Sequence, residues 1–433
     1  MLKYIQRVSP KVLSSDIGKR MAYGAFWSMT GTALGKFLVL VSGIVCARIL
    51  GKEVFGEFGM IRSTIGLFIV LGSAGIGITA TRFISLYSST EKGHSYSIYR
   101  LSFNFALCFG VILILCLFPL TDIISQQILH SPHLSSALQI AALILFASIL
   151  SATLNGVLTG LEDFKSIAVN TLIGSCFESL FMIVGAWFYG LHGAILGFGL
   201  GVVAQYAANH IAVYKDFKRL GISRASHINR KDFRLIYTYC IPATLSALTI
   251  TPAFFIIRAM VVREAGYSEL AIFEAADQWK VIILFIPTAV SQIVLPILSS
   301  TTNSDKFNKA LFANITLIGI VSLFTALIIG LLSPYIMPLY GSTFDNKVPL
   351  MLLAASTVFS SIANVIEMAI CSKDKMWENF VLNLMWAIIL IAFSQLYIDK
   401  GATGIALAVL ISYAIKCVVF SLYIHYIHQH ENK

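Results

Sequence analysis

Apolar runs of about 20 residues recur from one end of this chain to the other, and each is long enough to cross the roughly 30 Å hydrocarbon core of a bilayer as a helix. Inside lipid every backbone amide and carbonyl must be satisfied within the segment itself, so runs of this kind dictate helices. Of the 433 residues 57% are hydrophobic and only 12% are charged, too few charges for a soluble chain of this size. The sequence therefore predicts an all-α integral membrane protein. Twelve crossings fall near 22–45, 59–81, 101–120, 136–158, 166–187, 193–214, 235–257, 269–296, 310–332, 348–370, 376–396 and 402–424. No cleavable leader is expected, because no small-residue cleavage site follows a short apolar region.

The net charge of +10 sits mostly in the connecting segments. It reads as an orientation signal and not as a footprint for nucleic acid. On the side of the membrane that holds the N-terminus there are 21 Lys and Arg, on the opposite side 6, and within the crossings 4. Both termini are thus expected in the cytoplasm. The largest basic block, residues 215–234, lies mid-chain and reads as a linker between an N-terminal six-helix bundle, 1–214, and a C-terminal one, 235–433.

The two halves read as repeats. Arg48-Ile-Leu-Gly51 with Phe55 and Phe58 answers Arg263-Glu-Ala-Gly266 with Leu270 and Phe273 at an offset of 215. Gly190-Leu-His-Gly193 answers Gly401-Ala-Thr-Gly404 at 211, and the loop 159–165 answers 371–377 at about 212. An even number of crossings per half makes the repeats parallel, related by an axis along the membrane normal. Two six-helix bundles around a central cavity are the expected architecture.

The stretch from Gly266 to Pro296 carries Glu274, Asp277 and Lys280 within a segment that must cross the membrane. At 100° per residue Glu274, Asp277 and Gln278 share one helix face, with Lys280 about 60° away. A charge at the bilayer centre costs about 2.5–3.5 kcal/mol on insertion scales, so this face must look at other helices or at water. Lys36, Arg62 and Lys416 lie within other crossings, Arg258 is placed at the end of the seventh, and the acids Glu178 and Glu367 complete the set. Lys416 is expected to snorkel to the interface nearest the termini.

These motifs carry a resemblance. Ala47-Arg-Ile-Leu-Gly51-Lys-Glu-Val-Phe55-Gly-Glu-Phe58-Gly59 is similar to the ARxLGxxxFGxF signature of polysaccharide-exporting flippases of the multidrug/oligosaccharidyl-lipid/polysaccharide exporter superfamily. Ser268-Glu-Leu-Ala-Ile-Phe273-Glu-Ala-Ala-Asp-Gln278-Trp279 resembles the ELGLFxAAxQW segment of the O-antigen and capsule flippases, departing from it at Ala271 and Glu274. Asn155-Gly-Val-Leu-Thr-Gly160-Leu-Glu-Asp-Phe164-Lys165 resembles their exit from the fourth crossing. The resemblance implies a fold like that of the superfamily's multidrug exporters. It also implies transfer of undecaprenyl-diphosphate-linked sugar units across an inner membrane by ion-coupled alternating access. Its implied partners are the lipid-linked oligosaccharide, membrane lipid, a polysaccharide polymerase and a chain-length regulator.

No phosphate-binding loop, metal-binding His/Cys cluster or nucleophile elbow is present, so neither a cofactor nor enzyme chemistry is expected. The longest segments on the side away from the termini, about 121–135 and 333–347, are too short to house the acid and base of a glycan polymerase or ligase. An exporter of cationic drugs is the other alternative, and it calls for an acidic or apolar pocket; basic groups near the axis favour an anionic cargo instead. Lys36, Arg62, Arg258 and Lys280 are the expected receivers of the diphosphate. Asp277, Glu274 and Arg62 are the expected ion-coupling or gate groups, with Arg62 and Asp277 forming a pair when the external side is closed.

Overall fold

The computed structural model describes residues 16–87, 92–222, 230–299, 304–373 and 375–431. These are helical almost throughout. α1 is Asp16–Leu50, α2 Lys52–Tyr87, α3 Lys92–Ile123 and α4 Ser135–Gly160. The helix Phe164–Leu220 breaks at Gly190 into α5 (164–189) and α6 (191–220), and Arg230–Ser299 breaks at Gly266 into α7 (230–265) and α8 (267–299). α9 is Ser304–Ile336, α10 Val348–Ser372, α11 Met376–Tyr397 and α12 Gly401–Glu431.

Each of the twelve expected crossings falls inside one of these helices. Those ends that meet residues 16, 220 and 431 form the terminal face, and the turns at Gly51, Gly190, Gly266 and Gly401 lie on the distal face. Part of the basic linker, 223–229, is outside the described residues, and α6 already runs to Leu220.

The repeat is written into the backbone. Gly190 and Gly401, matched at 211, have φ/ψ of 57°/−133° and 54°/−134°. Gly51 and Gly266, matched at 215, have φ of 80° and 83°. Glycine reaches this region without the steric cost that a Cβ imposes, so each half makes its reversal with the same residue in the same conformation. At an offset of 212 the bounds of α4 and α10 agree to within one residue, and α5 and α11 begin in register.

α2 and α8 meet along the pseudo-symmetry axis. A Cβ added to Gly56 would collide with the Tyr267 carbonyl oxygen, and Gly59 lies against the side chain of Glu274. Around this contact Phe55, Phe58, Leu270, Phe273, Tyr340 and Phe344 are all at most 1% exposed. The Tyr267 hydroxyl donates to the Leu129 carbonyl at 2.8 Å, and Arg48 Nε donates to the Leu339 carbonyl. The two halves are thus locked together at the distal face.

Candidate functional site

Arg258 lies about two turns inside α7, not at its end as the sequence suggested, because α7 runs on to residue 265 before Gly266 breaks it. From there its guanidinium reaches two carboxylates of α8. Nε donates to Glu274 Oε1, and Nη2 donates to Asp277 Oδ2 at 2.9 Å. Lys280 Nζ donates to the other oxygen of Asp277 at 2.6 Å. Arg258 also lies over the rings of Phe254 and Phe273, at 5.7 and 5.4 Å, and Lys280 sits 4.4 Å over the Phe254 ring. Two cations and two anions therefore cancel. In a low-dielectric setting this is the arrangement that relieves the cost of burying each charge.

Arg62 is not brought to Asp277. It packs over Phe58 and Phe198 at 5.6 and 5.3 Å, with Glu178 of α5 at 4.0 Å, a loose ion pair on a side chain that is 31% exposed. The expected Arg62–Asp277 pair is absent from this structure. The physical reason is competition: Arg258 and Lys280 already occupy both oxygens of Asp277.

Lys36 stands differently again. It is half-buried on α1, with its ammonium 5.6 Å over the Phe285 ring of α8, and among the described residues it has no carboxylate partner. Beside it, Gly35 lets Ser175 and Thr171 of α5 approach closely. At a rise of 1.5 Å per residue, Lys36 and Lys280 lie at nearly one depth, about 21–22 Å from the distal glycines Gly51 and Gly266, with Arg62 about 6 Å nearer that face. The four basic groups named from sequence thus divide. Arg258 and Lys280 are neutralised by acids, Arg62 is loosely paired, and Lys36 faces only an aromatic ring.

Lys416 does not snorkel. It is 5% exposed, donates to Glu367 Oε2 at 3.2 Å and Asn383 Oδ1 at 2.7 Å, and lies over the Trp386 and Phe420 rings. α12 continues to Glu431, which leaves Lys416 near mid-helix instead of near its end. Phe285 and Tyr267 went unnoticed in the sequence, and Tyr340 reads there only as one of the aromatics that anchor helix ends at the interface. The Tyr340 hydroxyl donates to Gln278 Oε1 at 3.1 Å on the charged face of α8, yet an aromatic at a helix end carries no sequence signal beyond interfacial anchoring.

Over 435 residues, covering 94% of both chains, the protein is 24% identical to the EPS I polysaccharide export inner membrane protein EpsE of Ralstonia solanacearum. Its fold is similar to that of a multidrug resistance MATE family transporter of the MOP superfamily in the inward-facing conformation, with a TM-score of 0.79 at 16% identity over 92% of this chain and 95% of that one. It is also similar to the lipid II flippase MurJ in an inward closed conformation, with a TM-score of 0.76 at 16% identity over 92% and 87%. The fold is thus the one seen in these two proteins, and by name the relatives and neighbours are an export protein, a transporter and a flippase, not enzymes. The family described as polysaccharide biosynthesis protein matches residues 21–302, well over half of the chain, and this protein belongs to it.

Proposed function

We propose that this protein is a flippase that moves an undecaprenyl-diphosphate-linked oligosaccharide, an O-antigen or capsule repeat unit, from the cytoplasmic to the outer leaflet of the inner membrane by ion-coupled alternating access. The observation that carries this reading is Lys36, a half-buried ammonium at mid-membrane depth with no carboxylate partner among the described residues. A charge in that position is costly until an anion or water meets it, and a diphosphate is such an anion. A lysine holds phosphate as a point charge without fixing its geometry, which suits a cargo that must move on. Arg62 is the second receiver, because its hold on Glu178 is loose. Arg258 and Lys280 join only if the cargo displaces Glu274 and Asp277.

The acids of α8 are occupied by Arg258 and Lys280, so they offer no acidic pocket to a cationic drug. In this reading both termini are cytoplasmic and the distal face is external. The tight packing of α2 on α8 supports a state closed to the outside. Residues 1–214 and 235–433 then rock as two bundles about the linker 215–234, delivering the cargo to a polysaccharide polymerase and its chain-length regulator. Reconstitution into liposomes with a fluorescent lipid-linked oligosaccharide tests the reading. Transfer of the labelled lipid between leaflets supports it; vesicles that expel a cationic dye but leave the saccharide lipid in place overturn it.

A further inference from the structure

Glu57 of α2 is a buried carboxylate whose only cationic partner among the described residues is a histidine. It is 7% exposed, about 9 Å from the distal turn at Gly51, and it bonds His133 Nε2 at 2.7 Å. Arg48 and Arg62, which flank it in sequence, turn instead to the Leu339 carbonyl and to Glu178. Glu274, Asp277 and Glu367, by contrast, are met by arginine or lysine. Histidine is the side chain whose ordinary value lets it gain or lose its charge between about pH 5 and pH 8.

His133 stands on the segment through which the two halves touch. Leu129 and Leu134, both fully buried, pin this segment on either side of it, while the imidazole is 63% exposed on the distal face. The Leu129 carbonyl accepts from the Tyr267 hydroxyl of α8 at 2.8 Å, and the charge of Glu57 reaches that hydroxyl. One residue before Glu57, Gly56 lies against the backbone of Tyr267. The carboxylate is thus buried where α2, α8 and residues 129–134 meet.

We infer that the Glu57–His133 pair is a pH-sensitive latch, which holds α2 and α8 together at the distal face when the medium on that side is acidic. The inference rests on the transport reading above, in which the two bundles part at this face. Burying a carboxylate is costly unless a counter-charge meets it, and a neutral imidazole offers a hydrogen bond but no charge. When α8 withdraws from α2, water reaches Glu57 and the need for a counter-charge falls. The packed face therefore binds a proton more tightly than the parted one, whether the proton sits on His133 or on Glu57. By linkage, acid on the distal side favours packing, and rising pH favours parting.

The other titratable groups on the elements that meet here do not supply the missing charge. Glu53, one turn nearer the distal end of α2, is a second acid. Asp122 of α3 accepts from Ser135, and His192 of α6 bonds Ser136 at 2.8 Å. Tyr267 is the titratable group that α8 brings to Glu57, and its hydroxyl is a donor to the Leu129 carbonyl. His130 lies in the same segment as His133, in the left-handed region with φ 51°. An imidazolium at 133 is therefore the cation that answers Glu57.

Spin labels on Tyr189 and Lys400, beside the distal glycines Gly190 and Gly401, read the separation of the bundles in the purified full-length protein without cargo. In the parent the population of long distances is expected to rise between about pH 5.5 and about pH 8. The ratio of parted to packed protein changes about tenfold for each pH unit by which the two states differ in proton affinity. His133→Gln keeps a donor but never carries a charge, so it should show the high-pH distribution throughout. His133→Lys, charged across this range, should show the low-pH distribution throughout. Parent distances that do not change with pH, or a His133→Gln variant that responds as the parent does, overturn the inference. A parent that parts as pH rises but moves no saccharide lipid in liposomes upholds the latch and refutes only the choice of cargo.

Discussion

Gly59 of α2 and Glu274 of α8 are counterparts across the repeat, 215 residues apart, and they touch: a Cβ on Gly59 would lie 2.5 Å from Glu274 Cγ. A residue that meets its own counterpart lies on the pseudo-symmetry axis. The same holds one turn nearer the distal face, where Gly56 lies against Tyr267 and the amide of Ala271, its counterpart. The close approach of α2 and α8 thus depends on two missing side chains.

Replacing Gly56 by Ala forces α2 and α8 apart, because the obstacle is backbone and cannot rotate away. Overpacking of this kind costs about 1–3 kcal/mol. The cost falls on the closed state alone, so the variant is expected to shift the population towards opening at the distal face. Spin labels on Thr343 and Ser131, at the distal ends of the two halves, should report a longer mean distance in Gly56→Ala than in the parent; an unchanged distribution contradicts this.

Much of this architecture was legible in the sequence, and the reasons are physical. Lipid leaves the backbone no choice but helix, so apolar runs read directly as crossings. The glycines at 51, 190, 266 and 401 announced the repeat because each sits where φ is positive. The charged residues were visible too, since charge in an apolar run is conspicuous. Their partners were not. Arg258 and Lys416 were misplaced because helix ends cannot be read to within two turns. Asp277 was expected to pair with Arg62, while contact selected Arg258 and Lys280. Lys36 was distinguished from the other cations only by what surrounds it, which no single sequence displays.

Arg258 holds two carboxylates at once, so its removal leaves Glu274 without a cation and Asp277 with Lys280 alone. Breaking one partner out of a buried pair costs about 3–5 kcal/mol, and Arg258→Ala is expected to reduce the protein's level in the membrane severely. Lys280→Ala leaves Asp277 bonded to Arg258 and is expected to cost less. Comparing thermal unfolding of the two variants in detergent checks the order; a milder effect at Arg258 refutes it.

In the last turns of α6, Asp216 lies within Coulombic range of Asp163, the residue that caps α5. Burial first, and then the charge of Asp163, push the Asp216 carboxyl up to about 6 against the opposing pull of Arg219 at 2.8 Å. Burial also pushes Asp163 up, but hydrogen bonds from the Ser166 hydroxyl and amide hold it below its usual range. The folded state binds the Asp216 proton more tightly than the unfolded chain does. Its contribution to stability is therefore fully present below pH 3.8 and is lost as pH rises through about 6. Asp216→Asn is expected to raise the melting temperature above pH 6 and to flatten its change between pH 4.5 and 7. Parallel curves for variant and parent rule this out.

The account stands or falls on what the Lys36 ammonium meets. The deciding measurement is transport of a lipid-linked oligosaccharide by reconstituted Lys36→Arg and Lys36→Ala, at matched protein content in the vesicles. A cation that receives phosphate predicts near-normal transport by Lys36→Arg and a loss of at least about tenfold in Lys36→Ala, the effect of losing about 1.4 kcal/mol of cargo interaction. Normal transport by Lys36→Ala would contradict the account.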